Sequence, residues 1–225
     1  MSRVIQKLCI GSGPVAFLLF GIGLVLAGFL PPPRPSLPTA GVMELYQQNQ
    51  LRIQLGAVVM LVSGALFPPF FAIVAAFMRR IEGKVAPLAT TQVIAASLTS
   101  TLFYLGAMLL AITALRPARM PGELTVLMND ISWIVLVSPG AAASVMTLSF
   151  ALAILGDGGD APVLPRWSGY FSLWTAILSI PAQMAVMFLS GPFAWNGLLS
   201  FWVGGIAFAV WTNIVAVVMW KRIEA

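Results

Sequence analysis

Along this chain, long apolar stretches alternate with short polar ones, and that rhythm points to the architecture before anything else. Six runs are long enough to cross a hydrocarbon core: residues 8–30, 56–78, 93–115, 131–155, 167–189 and 197–220. A spanning helix needs roughly 20 predominantly apolar residues. None of the six runs has the two-residue alternation of a membrane barrel strand. Within a bilayer, backbone N–H and C=O groups must be satisfied inside the fold, which leaves helices. The connections between runs are short. The expected fold is therefore all-α, a single domain over residues 1–225 built as a polytopic integral membrane bundle of six transmembrane helices.

Several runs are interrupted. Pro68-Pro69, Pro139 and Pro181 fall inside apolar stretches. Proline lacks an N–H and clashes with the preceding turn, so a kink or local unwinding is expected at each. The segment PPPRPSLP, residues 31–38, reads as a stiff non-helical connection, after which Thr39 has the side chain of an N-cap. Glu44, Gln48 and Arg52 then recur every fourth residue on one helical face, which is either a solvated juxtamembrane surface or a binding surface folded over the bundle mouth.

Three polar stripes run inside the spans. Thr90, Ser97, Thr101 and Tyr104 share a face of the third. Ser168, Ser172, Thr175, Ser179 and Gln183 share a face of the fifth. Trp202, Gly205, Ala209 and Asn213 share a face of the sixth. Such stripes are expected to turn away from lipid, either to bond between helices or to line a polar cavity. Asn213 lies deep and needs partners, which the stripes of the third and fifth spans are placed to supply.

Composition strengthens the membrane assignment. Hydrophobic residues make up 60% of the chain and charged residues 8%, against about 45–50% and about 25% in soluble domains. The first run follows Arg3 and Lys7 but exceeds the roughly 7–15 apolar residues of a signal peptide, so it reads as an uncleaved anchor. Eight of the twelve Lys and Arg residues fall on the side shared by the two termini. The positive-inside rule then places both termini in the cytoplasm. The net charge of +5 records this bias. No basic helix or aromatic platform accompanies it, so nucleic acid is not an expected partner.

The sequence contains no histidine and one cysteine, Cys9. That removes His-ligated haem, His–carboxylate zinc, a His general base and any cysteine-rich metal site. No metal or cofactor is expected. GDGGD at residues 156–160 is too short for a calcium loop and reads as a turn.

Candidate chemistry gathers on the side opposite the termini, where the expected topology places Glu44, Arg52, Arg116, Asp130, Trp133, Trp195 and Asn196. Asp130 opens the fourth run and shares a face with Trp133. It can be an N-cap favoured by the helix dipole. It can be a partly desolvated acid that keeps its proton and donates it to a substrate. It can hold a cationic ligand with help from the Trp133 ring. Arg52 or Arg116 could instead pair with it. In SGPFAWNGLL, residues 190–199, Phe193 and Trp195 suit an interfacial aromatic belt and Asn196 suits a cap on the sixth helix. The segments RIEG (80–83), NDISW (129–133), PRWSGY (165–170) and GPFAWNG (191–197) together resemble an uncharacterised group of small bacterial six-helix membrane proteins. That resemblance implies a compact multi-pass protein of the bacterial cytoplasmic membrane and supplies no activity.

The functional expectation is a cavity that opens on the outer side and binds, or transforms, an amphiphilic or apolar small molecule. Asp130 and Glu44 are its candidate acids. Arg52, Arg116, Trp133, Tyr104, Gln183, Trp195, Asn196 and Asn213 are its candidate binding residues. A small-molecule transporter and an accessory subunit of a larger membrane complex are the alternatives. The lipid bilayer is the expected surrounding, and a homo- or hetero-oligomer is compatible with the glycine-rich first helix.

Overall fold

The computed structural model describes residues 2–224. Its elements are α1 (Arg3–Ala27), α2 (Thr39–Gln48), α3 (Gln50–Glu82), α4 (Pro87–Thr113), α5 (Gly122–Val137), α6 (Gly140–Leu155), α7 (Arg166–Ser179) and α8 (Gly204–Glu224). A 3-10 helix, Ile180–Val186, continues α7, and a π-helical turn, Leu198–Val203, leads into α8. Five helical stretches are long and apolar enough to cross a membrane: Arg3–Ala27, Gln50–Glu82, Pro87–Thr113, Gly122–Leu155 and Leu198–Glu224. Large apolar side chains such as Leu18, Leu55, Ile94 and Ile206 remain on the outside of the bundle, as lipid-facing side chains do. The fifth run of the sequence, residues 167–189, differs from a uniform spanning helix. It is 14 residues of α-helix followed by the tighter 3-10 rod that begins next to Pro181.

The helices close into a ring. α3 lies against α1 and α4, α4 against α5 and α6, α6 against α7, α7 against α8, and α8 returns to α1. The Lys7 ammonium and the Glu224 carboxylate meet at 2.7 Å, so the first and last helices share one end of the bundle, here the terminal end. Trp220 also donates to Glu224, and Lys7 sits over the Trp220 ring. At this end, both carboxylate oxygens of Glu82 accept the first free amides of α4, from Leu88 and Ala89. Asp157 accepts the N–H groups of Gly159 and Val163 and fixes the 156–163 turn.

Small residues set how closely the ring can draw in. Gly23 of α1 and Gly56 of α3 bring two backbones together, since a Cβ on Gly23 would lie 2.7 Å from the Gly56 carbonyl oxygen. The Ser63 hydroxyl donates to the Ala16 carbonyl across the same contact. α1 ends at Gly28, whose left-handed backbone lets its own N–H reach Val25 O and the Phe29 N–H reach Leu24 O. The buried side chains form two clusters. One, towards the terminal end, centres on Phe70, Phe77, Phe150 and Trp211. The other, towards the distal end, centres on Phe29, Tyr46, Met60, Trp133 and Trp195.

Several local expectations need correction. α3 runs for 33 residues through Pro68-Pro69 with no break, because buried Phe67, Phe70 and Phe71 hold the segment in place despite two missing donors. Thr39 is the first helical residue, and Pro38 is the cap without a side-chain bond. Asp130 is not an N-cap, since α5 starts eight residues earlier at Gly122. Asn196 does not cap the π-helical turn, whose cap is Gly197. Trp195 is buried within the bundle, its indole N–H donating to Pro33 O of the proline segment, 2.9 Å away.

Candidate functional site

Three irregular stretches of backbone converge in the distal half of the bundle. α5 breaks from α6 at Ser138-Pro139, α7 turns into its 3-10 extension at Ile180-Pro181, and the π-helical turn precedes α8. Backbone of this kind survives at membrane depth where it is buried in protein or lines a cavity, and π-turns often mark functional sites. Each break is braced. Gly140 lets α6 abut the Ser179 carbonyl and the Ala182 methyl. With its amide oriented to its neighbours, Gln183 accepts the Ala141 N–H and donates towards the carbonyls of Ser179 and Ile180. Ser200 reaches both Pro181 O and Phe193 O.

The three stretches enclose a cavity of about 220 Å³. Its walls come from Phe17, Phe20 and Leu24 of α1, Phe103 of α4, Trp133 and Leu136 of α5, Phe201 of the π-turn and Phe208 of α8, with Ser179 and Ser200 as the hydroxyl-bearing members. Both hydroxyls are already donated to backbone carbonyls. The rim includes Gly21, Leu30, Gly205 and Ile206, of which Leu30, Gly205 and Ile206 are exposed. Neither a Cβ on Gly21 nor one on Gly205 would meet any atom within 4 Å. α1 and α8 meet at Phe17–Phe208, at 5.6 Å between ring centroids, and each contributes one rim glycine, Gly21 and Gly205, with open space beside it.

Trp133 is the polar exception in the wall. It is 0% exposed, its ring lies edge-on to Phe29 and Phe201, and its indole N–H has no acceptor among the described residues. An N–H buried in this way costs about 1–3 kcal/mol.

Above this wall lies a short polar chain. The Tyr46 hydroxyl donates to Asn129 Oδ1 at 3.2 Å, and Asn129 Nδ2 donates to Asp130 Oδ1 at 3.2 Å. Tyr46 is fully buried. Burial first, and then the Asp130 charge, push the Tyr46 hydroxyl far above the usual tyrosine range, so it stays a donor. Phe29 packs edge-on to both Tyr46 and Trp133 and stands between this chain and the cavity wall.

Of the residues singled out in the sequence, Trp133 lines the cavity. Asp130 is half-buried beside it in the chain but does not reach the cavity, and it forms no ion pair among the described residues. Gln183 braces the break at Pro139 from behind the wall. Glu44 and Arg52 are exposed, Glu44 bonding Gln48 and Arg52 lying over Gly28. Arg116 is exposed before the short 117–119 turn. Trp195 and Asn196 belong to the distal cap.

The polar stripes divide. That of α7 is buried, as expected, but Ser168, Ser172, Thr175 and Ser179 return their hydroxyls to their own helix. Ser172 also accepts the Trp211 indole N–H. That of α4 faces outward, with Tyr104 43% exposed; the polar side chains this helix buries are Gln92, Thr99, Ser100 and Thr113. Packing decided the difference, since the other face of α4 carries Ala89, Ala96 and Gly106 and can approach its neighbours more closely. Asn213 is exposed and bonds Ala209 O, away from those stripes, although Trp202, Gly205 and Ala209 of the same sequence face do line the cavity. The cavity is thus apolar where a polar one was expected. The signal that pointed to it lay in aromatic residues and glycines at helical spacing, Phe17, Phe20 and Gly21 with Phe201, Gly205 and Phe208. Comparison with family models, curated proteins and solved structures finds no match, so function has to be argued from this geometry.

Proposed function

We propose that this is a six-pass membrane protein that binds one apolar or weakly amphiphilic small molecule, taken in from the bilayer between α1 and α8. Five long apolar helices with α7 and its 3-10 extension make six passes, an even number that agrees with the meeting of Lys7 and Glu224. Charge placement assigns the terminal end to the cytoplasm, and a bacterial cytoplasmic membrane suits the sequence resemblance. The observation that carries the reading is the Trp133 indole, without an acceptor among the described residues, in the wall of an otherwise apolar cavity with open space at its rim glycines. A ligand with an apolar body and one carbonyl, ether or hydroxyl oxygen would fill the space, and a turn of the Trp133 ring, whose N–H is otherwise closed off from the cavity, would bring that N–H to the oxygen. Asp130, held behind Phe29, then supports the wall through Asn129 and Tyr46 and does not touch the ligand. This arrangement favours binding over acid catalysis.

The test is to close the opening. Gly205→Leu adds a side chain where there is free space. Wild-type protein extracted into native-lipid nanodiscs should carry a small apolar molecule detectable by native mass spectrometry, and Gly205→Leu should lose it while melting at the temperature of ligand-stripped wild type. Wild-type protein without such an adduct, or a variant that keeps it, would defeat the proposal.

A second reading, transport, is favoured by the breaks at Pro139 and Pro181, since discontinuous helices often surround transported substrates. Substrate flux into proteoliposomes separates it from binding alone.

A further inference from the structure

A second concavity lies at the terminal end, on the outer flank of α8. It is larger, about 630 Å³, and is lined by Pro162, Val163, Pro165 and Trp167 on one side and by Val217 and Lys221 among the α8 residues on the other. Asn213, Val217 and Lys221 are spaced by four, so they form one stripe along α8 roughly 12 Å long at 1.5 Å per residue. The stripe runs from within the apolar span to the basic helix end. Lys221 and Arg222 both line the concavity, both are exposed, and neither forms an ion pair among the described residues. No carboxylate lines it. Its second wall is preformed, since Asp157 holds the Val163 N–H at 2.7 Å and Leu164 is buried in the core.

We propose that this groove is a binding site for a single anionic phospholipid. The phosphate sits against Lys221 and Arg222 at the membrane surface, and one acyl chain lies along the apolar wall formed by Val217 and Ile214 of α8 and by Trp167. The charge pattern decides the occupant. Two cations at the water boundary with no ion pair among the described residues, continuous with an apolar trough that descends into the bilayer, match a headgroup joined to a chain. A soluble anion would use the cations and leave the trough empty. A zwitterionic lipid would bring its own cation to the same end. The site is separate from the cavity around Trp133 and does not depend on it.

The experiment compares the full-length protein in nanodiscs of phosphatidylglycerol with phosphatidylcholine, followed by detergent washing and native mass spectrometry. Wild type should retain one phosphatidylglycerol and no phosphatidylcholine, and inorganic phosphate at about 100 mM, where the Debye length falls to about 10 Å or less, should not displace it. The double variant Lys221→Gln/Arg222→Gln should lose at least about 90% of the retained lipid, a factor equal to roughly 1.4 kcal/mol. Val217→Trp fills the trough and leaves both charges in place, and it should lose the lipid as well. Thermal melting of both variants at the wild-type temperature shows that the fold is intact. Equal retention of the two lipids by wild type overturns the proposal. So does displacement by phosphate, and so does full retention by Val217→Trp, which would mean that surface charge alone is responsible.

Discussion

Substituting Trp133 by phenylalanine separates a ligand-binding wall from ordinary packing, because the two roles give different signs. In the empty protein the indole N–H is buried without an acceptor among the described residues, at a cost of about 1–3 kcal/mol. Phenylalanine removes that donor. It also gives up part of the ring contact with Phe29 and Phe201, about 1 kcal/mol of buried apolar surface. The two effects nearly cancel, so the stripped variant should melt within roughly 2–4 °C of wild type, the shift that about 1 kcal/mol produces in a chain of this size. In protein extracted with its native lipid the balance reverses. The bound molecule accepts the N–H, a bond worth about 0.5–1.5 kcal/mol net. Ligand present at about a hundred times its Kd adds about 2.7 kcal/mol to wild-type stability. The variant loses part of both and should melt clearly lower. The assay is paired thermal melting of wild type and Trp133→Phe, once in native-lipid nanodiscs and once after exhaustive detergent washing. Trp133→Ala serves as the packing control and should fall by about 3–5 kcal/mol after washing, and further in native lipid, where it also loses the ligand's contribution. An equal drop for Trp133→Phe in the two preparations would refute the reasoning, since it would make the indole a plain core side chain.

Two further outcomes follow from the frame of the bundle. Gly56→Ala presses a methyl onto the Gly23 carbonyl oxygen and to within 2.7 Å of the Ala27 Cβ, so it should destabilise by about 1–3 kcal/mol, read as a lower melting temperature and lower yield, whereas Gly21→Ala, in open space, should leave both unchanged. Hydrogen bonds from Lys7, and then from Trp220, hold the Glu224 carboxyl below the usual glutamate range. A group depressed in the folded state contributes fully above its unfolded value, about 4.3, and its contribution fades as pH falls through the lower folded value. Protection against amide exchange at the end of α8, taken relative to the intrinsic rate at each pH, should therefore fall on acidification in wild type and show no such step in Glu224→Gln.

Much of the frame was legible in the sequence because hydropathy over 20 residues is a strong and local signal. The breaks at Pro139 and Pro181 were legible for the same reason, since a missing donor acts where it stands. Pro68-Pro69 carried the same local signal, and there the tertiary contacts of Phe67, Phe70 and Phe71 overrode it. The cavity was less legible. Attention to carboxylates and amides pointed to the distal surface, and the structure shows these groups satisfying one another or facing outward. Asn129 joins Tyr46 to Asp130, and Gln183 stops the gap at Ala141. Which face of a helix meets its neighbours depends on how closely the backbones approach. A stripe of hydroxyls such as Thr90 to Tyr104 cannot announce its own direction when each hydroxyl can return to its own helix, as those of Thr90 and Ser97 do.

The contact between Lys7 and Glu224 spans 217 positions, and it has a consequence for biosynthesis. Chains emerge from the ribosome amino end first, so α1 is inserted before α8 and its flank facing α8 stays bare until α8 arrives. The lateral doorway has one jamb in α1 and the other in α8, the two helices farthest apart in the described sequence. A nascent chain cut short before α8 would leave a horseshoe with no chamber, and a short linker between the two ends could move the starting point elsewhere without altering the ring.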